Sequence, residues 1–264
     1  MQVVGVIHAY AAILAESAGF KALYLSGAGV ANASYGVPDV GITTLENVVT
    51  DVRRITSITR LPLLVDADTG WGNPKKTVRE MIRSGAAGIH IEDQVEAKKC
   101  GHLAGKQLVS ADVMARRIRS AVSGRTDSGF VIMARTDAVG SEGMAAGIER
   151  ARKYRDAGAD MIFAEALTEL DQYQEFVAAV RVPVLANITE FGKTPMYTVA
   201  QLRKVGVALA LYPLSAFRAM NAAALNVYRA LRKDGTQKRV IGAMQTRTEL
   251  YKFLGYGPKL SVVS

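Results

Sequence analysis

The sequence predicts an α/β fold of the (β/α)8 barrel type, one domain over residues 1–264 with a C-terminal helical extension. Two observations carry this. Eight short apolar or β-branched runs recur along the chain with helix-period stretches between most of them. The runs are continuously apolar rather than alternating, as parallel strands covered on the outside by helices require. A doubly wound open sheet is the alternative, but it usually has fewer strands, and no Gly-x-Gly-x-x-Gly follows the first run.

The runs are taken in order as strands at residues 3–7, 22–26, 62–66, 88–92, 130–135, 160–164, 183–187 and 207–211. Helix-period stretches fall at 43–57, 75–84, 110–121, 143–157 and 169–179, several opening on a capping residue and closing on glycine. The endings at Gly19, Gly85 and Gly158 each read as a helix stop before the next strand. No linker or low-complexity tract interrupts the beat.

Composition narrows the function classes. The single cysteine excludes an internal disulfide and suits a reducing, cytoplasmic compartment. No apolar run approaches the ~18–20 residues of a membrane span, and no signal peptide opens the chain. The net charge of +9 is dispersed, without aromatic interleaving or a basic stripe. It therefore reads as a solvated surface and a field for small polyanions rather than a nucleic-acid face.

In a barrel of this kind the loops after the strands build the active face. Polar residues collect there at Ser26, Asp66, Asp68, Glu92, Asp93, Arg135, Asp137, Glu165, Asn187, Thr189 and Glu190. Each alone is readily a helix cap or turn residue; together they make a convergent acidic site with an arginine. Asp66 and Asp68 share one face of an extended segment, so both can address one cation, and hard oxygen ligands suit Mg²⁺ or Mn²⁺. Three scattered histidines and one cysteine leave little for zinc. That cysteine, Cys100, lies among Lys98, Lys99, Gly101 and His102, where neighbouring cations would lower a thiol pKa; a buried apolar filler is the competing reading.

The runs YLSGAGV at 24–30, LLVDADTG at 63–70, HIEDQ at 90–94 with KKCGH at 98–102, IMARTD at 132–137 and LANITE at 185–190 resemble the isocitrate lyase/phosphoenolpyruvate mutase superfamily. The KKCGH loop is specific to its lyase branch. LYPLSAFRAM at 211–220 and MQTR at 244–247 resemble the 2-methylisocitrate lyase family within it, over nearly the whole chain. The resemblance implies Mg²⁺-dependent cleavage of (2R,3S)-2-methylisocitrate to pyruvate and succinate, a step of propionate catabolism by the methylcitrate cycle. Sister lyases acting on 2,3-dimethylmalate, isocitrate or oxaloacetate share the metal pair and cysteine loop, and a non-catalytic scaffold or nucleic-acid binder is a remote alternative.

The resemblance also implies roles. Asp66 and Asp68 would hold the metal. Ser26, Gly27 and Ala28 would contact the substrate carboxylate beside it, with Tyr24 and Asp39 near the base position. Arg135, Asn187, Ile188, Thr189, Arg218 and Arg247 would hold the remaining carboxylates, and Glu165 would orient the ligand. Cys100 would donate the proton to the succinate carbon, with Lys98, Gly101, His102 and Glu92 around it. Phe163, Leu211 and Pro213 would line the space for the methyl group. Residues 94–106, rich in charge and glycine and carrying the cysteine, are expected on their own composition to form a mobile gate. Relatives carry a helix ahead of the first strand and a longer C-terminal segment, so both ends are expected to be shortened here, leaving apolar surface at residues 3–7 uncovered. A homotetramer is expected, with residues 216–231 offering a helical face to a partner.

Overall fold

The computed structural model describes residues 1–96 and 107–256. The chain runs β1 (Gln2–Gly5), α1 (Ala9–Ser17), β2 (Leu23–Leu25), the single turn α2 (Gly27–Gly29), a π-helical turn (Val30–Ser34), α3 (Leu45–Thr56), β3 (Leu63–Asp66), α4 (Pro74–Arg83) and β4 (Gly88–Glu92). It continues through α5 (Ala111–Gly124), β5 (Val131–Thr136), α6 (Val139–Glu142), α7 (Met144–Asp156), β6 (Met161–Ala164), α8 (Leu170–Val180) and β7 (Val184–Asn187). Then come α9 (Val199–Lys204), β8 (Leu209–Tyr212), α10 (Ser215–Asp234), a 3-10 turn (Lys238–Ala243) and α11 (Arg247–Phe253).

The eight strands close into a parallel barrel in sequence order, as the sequence predicts. The seam joins β1 to β8, with Gln2 opposite Ala210, Val3 opposite Leu211 and Val4 opposite Tyr212. Helix starts follow local chemistry. Thr44 and Asn47 form a reciprocal capping box on α3, Asn73 caps α4 with Pro74 in its first turn, and Ser110 caps α5.

Because successive strand side chains alternate, two separate apolar sets form. One lies between barrel and helices, around Leu25, Val65, Ile89, Ile91, Ile132, Ile162 and the inner faces of the helices. The other fills the lumen with Val3, Tyr24, Met133, Phe163, Leu185 and Leu211. A packed lumen supports the site from below.

One strand boundary needs correction. β1 begins and ends earlier than residues 3–7, because past Gly5 the chain leaves the sheet; a Cβ on Gly5 would lie 1.7 Å from the Pro213 carbonyl oxygen, so only glycine allows β1 to pass the chain leaving β8. Apolar surface is left open beside β1, as expected: Val4 and Ile7 are half-buried, and Met1, Val3, Leu64, Met133 and Leu209 line an open apolar pocket. The C-terminal extension is helical as expected, and α10 buries only Ala230 while Met220, Leu225, Tyr228 and Leu231 stay exposed.

Candidate active site

The polar residues at the strand ends converge on one end of the barrel, in two linked groups. The first is built on β2, β3 and β4. Asp66, the last residue of β3, accepts at Oδ2 from the Gly27 N–H at 3.1 Å and from the Tyr24 hydroxyl at 3.4 Å, and at Oδ1 from the Asp68 N–H at 3.2 Å. The Tyr24 hydroxyl also meets His90 Nε2 at 2.9 Å, and the two rings stack 5.7 Å apart. Burial above all, and then the Asp66 charge, push the Tyr24 phenol well above its ordinary pKa.

Asp68 adopts φ +46, a left-handed conformation that Asp tolerates better than most residues and that recurs at functional loops. Its carboxylate therefore lies beside that of Asp66. A Cβ on Gly27 would stand 3.1 Å from Asp66 Oδ2 and 3.3 Å from Asp68 Oδ1. The bare glycine thus keeps a cradle open against two buried carboxylates. Among the described residues no cluster of three or more His, Cys, Asp or Glu side chains could hold a metal ion, so any cation here would complete its shell with oxygens from water or ligand.

The second group is centred on Arg135 of β5, which is 8% exposed. Its Nε and Nη2 each donate to Asp137 at 3.1 Å, Nη1 lies 3.3 Å from Glu92 and Nη2 lies 3.3 Å from Glu165. Its guanidinium carbon also sits 5.1 Å from the centre of the Phe163 ring. Burial opposes the cation, but Asp137, Glu92 and Glu165 outweigh it and hold the guanidinium protonated far above any working pH. Glu165 further accepts from its neighbour Ala166 N–H at 2.9 Å and from Asn187 Nδ2 at 3.4 Å. This gathers β4, β5, β6 and β7 onto one cation.

Only some of the other predicted residues join these groups. Ser26 is buried and caps the turn at Gly27 through Gly29, and Ala28 lies half-buried beside it. Asp39 is half-buried in the loop before α3. Thr189 is buried next to Asn187, whereas the Ile188 side chain packs in the outer apolar set and its N–H donates to Leu211, a placement that offers the site neither group. Phe163 and Leu211 fill the lumen under the site, and Pro213 is buried against Gly5. Arg218 pairs with Glu190 at 3.6 Å and lies over the exposed Phe191 ring at 5.5 Å. Arg247 is exposed at the head of α11, which packs on α1, and among the described residues it makes no ion pair. Lys98, Cys100, Gly101 and His102, and most of the expected gate at 94–106, lie outside the described residues.

Sequence reasoning named Asp93 and Asp137 but not what they hold, and it missed His90 and Tyr154 as supports of the site. His90 was weighed only as a zinc ligand, yet it partners Tyr24 and packs edge-on to Phe163 at 5.2 Å. Asp137 was read as one of several acidic strand ends; its spacing of two from Arg135 on one strand face is the signal for their bidentate pair. The roles of Asp93 and Tyr154 carried no signal beyond the alternation that turns Asp93 away from Glu92.

A family profile for phosphoenolpyruvate phosphomutase matches residues 3–232. The chain is 59% identical over 260 residues to the 2-methylisocitrate lyase of Escherichia coli, covering 97% of this chain and 88% of that one. A crystal structure of 2,3-dimethylmalate lyase, described as a PEP mutase/isocitrate lyase superfamily member, superposes with a TM-score of 0.90 at 37% identity, over 97% of this chain and 86% of that one. A phosphonopyruvate hydrolase crystallised with oxalate and Mg²⁺ superposes at 0.83 and 28% identity, over 97% and 90%. With the barrel, the strand-end site and these matches in agreement, the chain belongs to the phosphoenolpyruvate phosphomutase family of the PEP mutase/isocitrate lyase superfamily and is a lyase.

Proposed function

We propose that this lyase cleaves (2R,3S)-2-methylisocitrate into pyruvate and succinate, the carbon–carbon scission of the methylcitrate cycle of propionate catabolism, in the cytoplasm. The observation that carries the reading is the pairing of a two-carboxylate cradle with a buried guanidinium at one barrel mouth, in a chain 59% identical to an enzyme named for this reaction. A tricarboxylate needs fixed cations, and arginine's fork suits carboxylates better than lysine does.

Asp66 and Asp68 fit a divalent cation: both are oxygen donors, both are buried, and glycine keeps the space beside them open. When bound, Mg²⁺ or Mn²⁺ supplies a Lewis acid that acidifies the substrate hydroxyl and stabilises charge on the pyruvate side. Tyr24 and Asp39 would serve the base position that takes up the hydroxyl proton, and Ser26, Gly27 and Ala28 would contact the adjoining carboxylate. Arg135, Asn187 and Thr189 hold a second carboxylate, with Arg218 and Arg247 serving the outer one. Glu165 orients Arg135 and Asn187. Preorganised donors of this type are worth about 3 kcal/mol each where charge develops. Cys100 then gives its proton to the succinate carbon, tuned by Lys98, His102 and Glu92, with Gly101 as a substrate contact.

Phe163, Leu211 and Pro213 shape the space for the extra methyl. One methyl discriminates by only about 1–3 kcal/mol, so slower cleavage of isocitrate is expected. Assembly as a homotetramer would cover the exposed residues of α10.

Pyruvate release coupled to lactate dehydrogenase, with NMR of the products formed from each candidate substrate, tests the reading. Turnover of 2-methylisocitrate with Mg²⁺, lost on chelation and about 10-fold faster than with isocitrate, 2,3-dimethylmalate or oxaloacetate, is expected. Preference for one of the last two would reassign the chain to a sister activity.

A further inference from the structure

β4 ends in two adjacent carboxylates that face opposite ways. Glu92 pairs with Arg135 in the lumen, whereas Asp93 is directed into the helix layer and is fully buried. A buried carboxylate is costly unless its oxygens are satisfied. Those of Asp93 are: Oδ2 accepts from the Thr136 and Tyr154 hydroxyls, both at 2.8 Å, and Oδ1 accepts from the Asp137 N–H at 2.9 Å. Arg150 stands 3.7 Å away and donates to the Tyr154 oxygen at 3.2 Å.

What Asp93 holds is therefore the main chain of Asp137, the residue that grips Arg135 with both carboxylate oxygens. Asp93 is itself well fixed. Its carbonyl accepts from the Val109 N–H at 2.9 Å, Arg150 donates to the Val109 carbonyl at 2.9 Å, and Arg117 donates to the carbonyls of Glu92 at 3.1 Å and Gln94 at 2.7 Å. The chain of contacts thus runs from α5 and α7, through Asp93 and Asp137, to the guanidinium plane.

We propose that Asp93, with Tyr154 behind it, is a positioning residue that sets the orientation of Arg135 toward an anionic substrate by anchoring the main chain at Asp137. The proposal rests on the reading of Arg135 as a carboxylate-binding group. Such an anchor differs from a purely structural contact in what its loss does to the folded enzyme. Displacing a binding group by a fraction of an ångström to an ångström costs up to about 100-fold in rate.

The test uses Asp93→Asn, Tyr154→Phe, Asp137→Asn and the double variant Asp93→Asn/Asp137→Asn in the full chain. Two readouts are taken: kcat/KM for 2-methylisocitrate, and the side-chain Nε–H resonance of Arg135, assigned by its absence in Arg135→Lys. Asp93→Asn is expected to lower kcat/KM about 10–100-fold and to shift that resonance, with Tyr154→Phe losing about 5-fold. The double variant is expected to be no worse than Asp137→Asn alone, because both act through one route. A folded Asp93→Asn with wild-type kcat/KM and an unmoved resonance would overturn the proposal, as would losses that multiply in the double variant. If Asp93→Asn fails to fold, the same two readouts on Tyr154→Phe decide. A wild-type chain inactive on 2-methylisocitrate refutes the substrate reading instead, and the resonance then decides the positioning alone.

Discussion

Replacing Arg135 by glutamine should destabilise the protein strongly, and increasingly so as pH rises. The guanidinium is the shared partner of Glu92, Asp137 and Glu165, and each of these is only 1% exposed. Glutamine retains length and a donor but removes the charge. Breaking a buried ion pair by deleting one partner typically costs about 3–5 kcal/mol, because the surviving charge has no water to turn to. For a chain of this size that lowers the melting temperature by about 6–20 °C.

The sign with pH follows from linkage. Without the cation, the carboxylate cluster in the folded variant holds protons more tightly than it does unfolded. The folded state then binds more protons than the unfolded one, so stability falls as pH increases. The deficit against wild type should accordingly be smallest near pH 5 and largest near pH 8. Thermal and chemical denaturation of both proteins across that window provide the measurement. A loss below about 1 kcal/mol, or one equal at both ends of the window, would refute the view that Arg135 neutralises this cluster.

Four further outcomes follow from the same structure. Cys100→Ser should reduce pyruvate release by about 10²–10⁴-fold while substrate still binds in calorimetry; retention of a tenth of the activity would remove the thiol from the proton-donor role. Asp66→Ala and Asp68→Ala should each weaken Mg²⁺ binding in titration calorimetry, and unchanged affinity in both would place the metal elsewhere. Tyr24, Tyr154 and Tyr173 have phenol pKa values raised first of all by burial, so these three of the ten tyrosines should stay un-ionised in native protein at pH 11, and stability should drop as pH climbs past 10. Absorbance at 295 nm that shows all ten ionising before unfolding would contradict their burial. Light scattering at micromolar protein should report a tetramer, and a fully active monomer would show that the exposed face of α10 needs no partner.

The strands were legible because parallel barrel strands are buried on both faces and so read as unbroken apolar runs: the run at 88–92 coincides with β4, and the others fall within two residues of β1 through β8. The turns after β2 were not. Ser26 to Ser34 is rich in glycine, alanine and polar residues with no apolar periodicity, and the turns there start on the Ser26 side-chain cap and lie close to Ile7 and Leu214 at Gly29. Within the site, Asp66, Asp68, Glu92, Arg135, Glu165 and Asn187 announced themselves as polar residues ending apolar strands. Asp93 did so too, but what it holds was not legible, and Tyr154 reads only as a core aromatic of α7. Their role depends on which side of a pleat each occupies and on contacts 61 residues apart.

The seam between β1 and β8 has a consequence for synthesis. The four residues of β1 find one of their two neighbouring strands only when Ala210 to Tyr212 have been made. At about 5–20 residues per second, β1 has only β2 beside it for about 10–40 s, its other edge offering unpaired amide and carbonyl groups to any strand nearby. The barrel thus cannot close until β8 has emerged, and slowing translation upstream of β8 should lengthen the nascent chain's dependence on chaperones.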